Sequence, residues 1–154
     1  MHLTVKPANP ADVFHVANEL RDEDAREVTL ATRRDPYTVV CESARMSNTV
    51  VVKVDGEPVA LAGAAYTAEK SCGLVWMLCT PGVSRAPRRI LKEARRWLET
   101  QHETYDVLCN RAWAGNALHL GWLRLLGFTL MPPVLVNGAE FIPFYRSKED
   151  PFHV

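Results

Sequence analysis

The sequence predicts one α/β domain with the element order βα(α)βββαβαββ, and three observations carry that prediction. β-branched and apolar runs alternate along the chain with segments of helical periodicity. The run Cys72 to Thr80 is almost wholly apolar, as a central strand covered on both faces requires. Directly after it, Ser84 to Gln101 carries the longest helical pattern of the chain. The 154 residues, 47% apolar and 23% charged, fit one domain of ordinary size and exclude a disordered chain, a collagen and a coiled coil. Residues 1–146 are expected to form the domain, and 147–154 a loose tail.

Residues 2 to 6 read as a first strand. Asn9-Pro10-Ala11-Asp12 is a helix start: Asn9 caps, Pro10 suits the first helical position and Asp12 falls in the first turn. Val13, Phe14, Ala17 and Leu20 then make an apolar stripe. The charged segment Arg21 to Asp35 either continues the helix or forms a mobile loop. A second helix is expected over about Tyr37 to Met46. Thr49 to Val54 is β-branched, Asp55-Gly56 is a hairpin turn signal, and Pro58 to Tyr66 is an apolar strand. Pro81-Gly82 ends the central strand. In the long helix Ile90, Leu91, Ala94, Trp97 and Leu98 mark the inward face. Tyr105 to Trp113 reads as a strand, and Asn116 to Leu126 as a helix stopped by Gly127 at C′. Phe128 to Met131 and Glu140 to Tyr145 close the pattern as strands.

Eighteen basic and 18 acidic side chains cancel, so no global field draws the protein to nucleic acid or a membrane surface. Thirteen of the cations are Arg, and six cations lie between Arg85 and Arg96, so a local anion site is compatible with the neutral total. No apolar run reaches the roughly 18–20 residues of a membrane helix, and the first residues lack the apolar stretch of a signal peptide. A cytoplasmic protein is expected. Cys41, Cys72, Cys79 and Cys109 form no CxxC pair and read as buried reduced thiols, with no metal site.

The most informative stretch runs from Thr80 to Arg89. A buried strand enters a Gly-containing loop and then a helix whose first turn holds Pro87 and several arginines. Unpaired backbone N–H groups and the positive helix end favour phosphate there. Arg85, Arg88 and Arg89 oppose the dipole at that end, which an anionic ligand would explain. The other reading is a solvated face with Glu93 and Glu99 as partners. Asn116 starts a helix and reads either as its cap or as a site residue. His119 follows one turn later, as a packed residue or a catalyst. Trp97, Trp113 and Trp122 match core positions. No GxSxG, P-loop GK[ST], HExxH or GxGxxG motif is present, and no spacing rule supports Cys79 with His119 as a nucleophilic pair.

From Gly73 to Phe128 the order of long strand, phosphate loop, long helix, strand and short helix ending in Leu126-Gly127-Phe128 resembles the GCN5-related N-acetyltransferase (GNAT) family. Tyr105-Asp106-Val107-Leu108-Cys109-Asn110, followed by Gly115-Asn116, is similar to that family's second cofactor motif. The resemblance implies a mixed, strongly twisted sheet of about 6–7 strands flanked by about four helices. It also implies acetyl-CoA as acyl donor, held by Leu78, Cys79, Val83, Arg85, Arg88, Arg89, Asn110 and Asn116. The acceptor would be an amine-bearing small molecule or protein. The Tyr-Asp-x-Leu-x-Asn-x-x-Trp-x-Gly-Asn-x-x-His pattern further resembles a GNAT-like group of short-tailed bacteriophages that includes internal virion protein A. That likeness implies the host cytoplasm or the virion as location, with a phage or host protein as partner if the chain is not an enzyme.

Two departures from the family pattern stand out. The matching phosphate stretch, about Arg85 to Ile90, carries Arg and Pro where the family loop carries glycine, so side chains and a missing N–H replace the backbone cradle. The helical position at which many members carry a proton-donating Tyr is Leu123, and the strand Leu74 to Cys79 offers no Glu as base. His119 is then the expected titrating group, and Tyr66 on the neighbouring strand the second candidate. A non-catalytic GNAT-fold protein remains open beside the enzyme, and nucleic acid is the least favoured partner.

Overall fold

The computed structural model of the protein describes residues 1–148. The chain runs β1 (Leu3–Pro7), α1 (Pro10–Asn18), α2 (Asp22–Thr32), α3 (Pro36–Met46), β2 (Asn48–Val54), β3 (Glu57–Tyr66) and β4 (Cys72–Cys79). A single 3₁₀ turn, Pro81–Arg85, follows. Then come α4 (Pro87–Gln101), β5 (Val107–Trp113), α5 (Ala117–Leu125), β6 (Thr129–Leu130), β7 (Val134–Val136) and β8 (Ala139–Ser147). The strands form one sheet in the order β1-β2-β3-β4-β5-β8-β6, with β7 also paired to β8. Every pairing is antiparallel except β4 with β5.

Local chemistry explains most boundaries. Asn9 and Asp12 form a reciprocal capping box at α1: Asp12 N–H donates to Asn9 Oδ1 at 2.9 Å, and Asn9 N–H to Asp12 Oδ2 at 3.0 Å. Asp35 caps α3 by accepting from the Thr38 N–H. The β2–β3 hairpin turns at Asp55-Gly56, both at positive φ, as does β7–β8 at Asn137-Gly138. Helices α1 to α3 cover one face through Val13, Val16, Val28 and Val40 against Val51, Leu61 and Leu78. Helices α4 and α5 cover the other through Ile90, Leu98, Trp122 and Leu123 against alternate residues of β2 to β5.

Several expectations need correction. The segment after Arg21 is a helix, α2, and not a loop. Its polarity hid it because its inward face carries Asp24 and Glu27 beside Val28, all three buried. The mixed α/β architecture is the one expected, with eight strands and five helices among the described residues where the sequence showed seven and four. Strand β7 was missed, although Asn137-Gly138 is a hairpin signal. The long helix starts at Pro87, after the 3₁₀ turn. Phe14 points outward. Strand β8 continues through the expected end of the domain: Arg146 is buried and donates to Glu99 Oε1 at 2.7 Å. The predicted tail beyond residue 148 lies outside the described residues. All four cysteines are free thiols, but only Cys79 is buried, the others being partly exposed.

Candidate active site

The parallel pair β4–β5 is short. Cys72, Gly73 and Leu74 match Val107, Leu108 and Cys109, and beyond them the strands part although both continue. Asn110 stands at the point of parting. Its Nδ2 donates to the Val75 carbonyl at 2.9 Å, and its Oδ1 accepts from the Arg111 N–H at 2.8 Å. An amide side chain thus stands where the main-chain ladder would continue, bridging the strands without closing them.

Above that bridge, strand N–H groups face a gap and need acceptors. Helix α2 supplies them from two carboxylates spaced so that they share a face. Asp24 Oδ2 accepts from the Cys79 N–H at 2.8 Å, and Glu27 Oε1 from the Trp113 N–H at 2.9 Å. Asn116, fully buried at the start of α5, donates through Nδ2 to Asp24 Oδ1 at 2.9 Å and to Glu27 Oε1 at 3.3 Å. Its side chain makes no cap bond, so the capping reading is overturned: the amide serves the acids of α2 instead. Arg21 donates to Asp24 Oδ1 at 2.9 Å and pairs with Glu23. One turn along α5, His119 Nδ1 lies 3.2 Å from Glu27 Oε1.

Five polar side chains from α2, its preceding residue and α5 therefore meet between the parted strands. Burial raises the Asp24 carboxyl above the usual range, against the Asn116 and Cys79 hydrogen bonds and the Arg21 charge. At His119 burial lowers the imidazole, but the hydrogen bond and charge of Glu27 and the charge of Asp24 outweigh it, so its pKa is raised. The hydrogen bond to Glu27 at Nδ1 thus shifts the imidazole towards its protonated form. The Cys79 thiol is pushed far up, by burial first and then by the Asp24 charge, which removes it as a nucleophile. Among the described residues, no three of His, Cys, Asp and Glu are placed to hold a metal ion.

Against this cluster lies a cavity of about 80 Å³ between α4, α5 and the sheet. Cys79, Asp24 and His119 line it at the polar cluster, and side chains such as Ile90, Ala94, Met77 and Trp122 line the rest. The loop after β4 is built differently. Thr80 Oγ1 accepts from the Gly82 N–H at 3.1 Å, and a Cβ at Gly82 would meet Val59 Cγ1 at 2.8 Å, so only glycine fits that turn. Val83 is buried beneath it.

The predicted site residues divide accordingly. Cys79, Asn116 and His119 come together at the parted strands. Asn110 lies just below them with both polar ends engaged. Leu78 turns to the opposite face and packs with Val51 and Leu61. Arg85 pairs with Asp55 and Glu57 at 3.0 and 3.1 Å, and Arg89 donates to the Met1 carbonyl at 2.6 Å, while Arg88 is exposed. Tyr66 is not brought to the cluster: it is 73% exposed at the far, closed end of the sheet, edge-on to Tyr105. The sequence reading missed Arg21, Asp24 and Glu27. The available signal was the spacing of 24, 27 and 28, which places two acids on the stripe of a buried valine once α2 is taken as a helix.

An acyl-CoA fits these residues in part. The apolar cavity and the cluster suit a thioester and its acyl group. The α4 start, with Pro87 at its first position and no side-chain cap, offers fewer backbone donors to a pyrophosphate than a glycine loop would.

No family model and no curated protein matches the chain. Solved structures do. An acetyltransferase of the GNAT family from Streptococcus pneumoniae matches at 12% identity with a TM-score of 0.64, covering 95% of this chain and 99% of that one. The ribosomal-protein-S18-alanine N-acetyltransferase from Escherichia coli matches at 14% and 0.64, covering 95% and 94%. An aminoglycoside acetyltransferase in complex with coenzyme A matches at 11% and 0.68, covering 96% of each chain. At such identities the likeness shows the fold: the chain has the α/β fold of GNAT acetyltransferases. Among the described residues no helix is long and apolar enough to cross a membrane.

Proposed function

We propose that the protein is an acyl-CoA-dependent N-acyltransferase, one domain transferring an acyl group to an amine on a small molecule or protein. One observation carries this reading: the buried Arg21–Asp24–Glu27–His119 cluster in the mouth between β4 and β5, beside an apolar cavity. Buried charges are costly, and capping the two strand N–H groups needs only acceptors; the arginine and the histidine gathered on those carboxylates go beyond that need. When bound, acyl-CoA supplies a thioester whose carbonyl an amine can attack. The amine sheds a proton as the amide forms, and the departing sulfur takes one up. Protonated His119 donates toward the sulfur, while Glu27 holds Nδ1 and keeps the ring oriented. Asn116 and the two strand N–H groups fix the carboxylates, so the imidazole does not reorganise during the step. Val83 supports the loop from beneath, and Arg85, Arg88 and Arg89 are the side chains that would reach phosphate, Arg85 and Arg89 by leaving their present partners.

Release of free thiol from acetyl-CoA, followed with polyamine, aminoglycoside and Ala-terminated peptide acceptors, tests the reading. Turnover should fall by about 10²–10⁴ in His119→Gln while the fold persists. Absence of both thiol release and a melting shift at millimolar acetyl-CoA would sink it.

A second reading has its own support. Arg85 and Arg89 are already engaged, Pro87 removes a donor, and α2 occupies the strand N–H groups of the gap. On that reading the chain is a bacteriophage protein in the host cytoplasm or the virion, acting by binding a phage or host protein. A stable complex with such a protein, unaffected by His119→Gln and made without acyl-CoA turnover, would establish it.

A further inference from the structure

Resting on the acyltransferase reading, we infer that the acyl group carried to the amine is longer than acetyl, with a chain of about four or five carbons. The cavity beside His119 is the reason. Acetyl ends one carbon beyond the thioester carbonyl and needs no chamber. Yet the cavity of about 80 Å³ under α4 and α5 that reaches Cys79, Asp24 and His119 is lined for the most part by apolar side chains. Arg21, Asp24, Glu93 and His119 are its charged or titratable lining, while Met77 and Val52 come from the sheet, Ile90 and Ala94 from α4 and Trp122 from α5.

Such a hollow is unfavourable for water, which needs two or more polar partners, and favourable for hydrocarbon. A cavity of roughly 150 Å³ lined by apolar side chains takes the six carbons of benzene, so this one accommodates roughly three carbons beyond acetyl. Close-packed interiors fill spaces of this size unless something else occupies them. A thioester held at the imidazole would have its carbonyl carbon beside the polar groups and its acyl tail against the apolar lining, a division a free amine or a sugar would not satisfy.

Each methylene buried in place of water gives roughly fourfold in kcat/KM. The test measures kcat/KM for acetyl-, propionyl-, butyryl-, pentanoyl- and octanoyl-CoA with the best amine acceptor found for the wild-type protein. The expected series rises about fourfold per carbon to butyryl or pentanoyl and falls at octanoyl. Ala94→Leu, which fills the hollow from α4, should shift the optimum towards acetyl. Met77→Ala, which enlarges it, should shift it towards longer chains, and thermal melts report whether either variant is folded. Acetyl-CoA as the best donor, with an order of preference unmoved in folded Ala94→Leu and Met77→Ala, overturns the inference and leaves the acyltransferase reading standing. No reaction and no binding with any chain length overturns both.

Discussion

Two polar regions flank the C-terminal half of β4, and they are built on opposite terms. In the mouth beside β5 the polar groups are inside: Asp24 is 4% exposed, Asn116 is fully buried, and Glu27 and His119 are mostly covered. At the loop leading to α4 the polar groups are outside. Arg85, Asp55 and Glu57 are all more than a third exposed, and what holds the turn is Gly82 against Val59 and Val83 in the core. The comparison teaches that charge density along a sequence is a poor guide to where charge matters. The six cations from Arg85 to Arg96 dominate the sequence, yet the energetically committed charges are three residues of an inconspicuous helix and its flank.

Deleting the central acid should break this contrast most severely. Asp24→Ala removes the acceptor of the Cys79 N–H and the partner of Asn116 and Arg21 at once, and should cost about 3–5 kcal/mol. In thermal unfolding that is a drop on the order of 10 °C, and a change within error would mean that the cluster is solvated. On the loop side, packing should outweigh charge. Gly82→Ala drives a methyl into Val59 and should cost about 1–3 kcal/mol in denaturant titration; if Val59 shifts away without cost, the turn is not tightly packed.

The pH response should separate the regions by sign. Asp24 and His119 both have raised pKa values in the folded protein, so they bind protons more tightly when folded. Their stabilisation is present below the unfolded values and is lost as pH rises, for His119 through and above pH 6.5. Asp55 is lowered, by the His2 N–H first and then by the amino terminus and Arg85, so its contribution is lost as pH falls below 3.8. Melting temperature should therefore decline from pH 6 to 9, and the decline should flatten in His119→Gln; an unchanged slope in that variant would remove His119 from the account. The smallest effect should come from the most conspicuous residue. Arg85→Ala breaks two ion pairs between exposed groups and should change stability by less than about 0.5 kcal/mol in the same titration.

These contrasts also explain what was legible in the sequence. The Asn9 cap, the hairpin at Asp55-Gly56, the central strand and the amphipathic α4 rest on local patterns; the first three are where those patterns place them, and α4 begins three residues later than its pattern, at Pro87. Helix α2 was not legible because periodicity reads apolar residues, and this helix buries acids. His119 and Asn116 were legible as candidates, since both lie one turn apart on a recognisable helix. Their partners were not, because Asp24 and Glu27 are 92 and 89 residues away from Asn116 and only the fold brings them there. Tyr66 was placed by strand adjacency alone, which says nothing about which end of the sheet a residue occupies.

The three-residue seam between β4 and β5 reaches beyond the chemistry of the mouth. Among the described residues it is the only ladder joining β1 to β4 with the strands that follow, so the sheet is two leaves sewn along one short edge. Within each leaf pairings are antiparallel and long, and across the seam they are parallel and few. Cooperative units of unfolding follow such divisions. Native-state hydrogen exchange should then resolve two protection levels, one for β2 and β3 and another for β5 and β8, with α2 and α5 fastening the leaves together from either side. Uniform protection would show that the helices, and not the seam, make the molecule one cooperative unit.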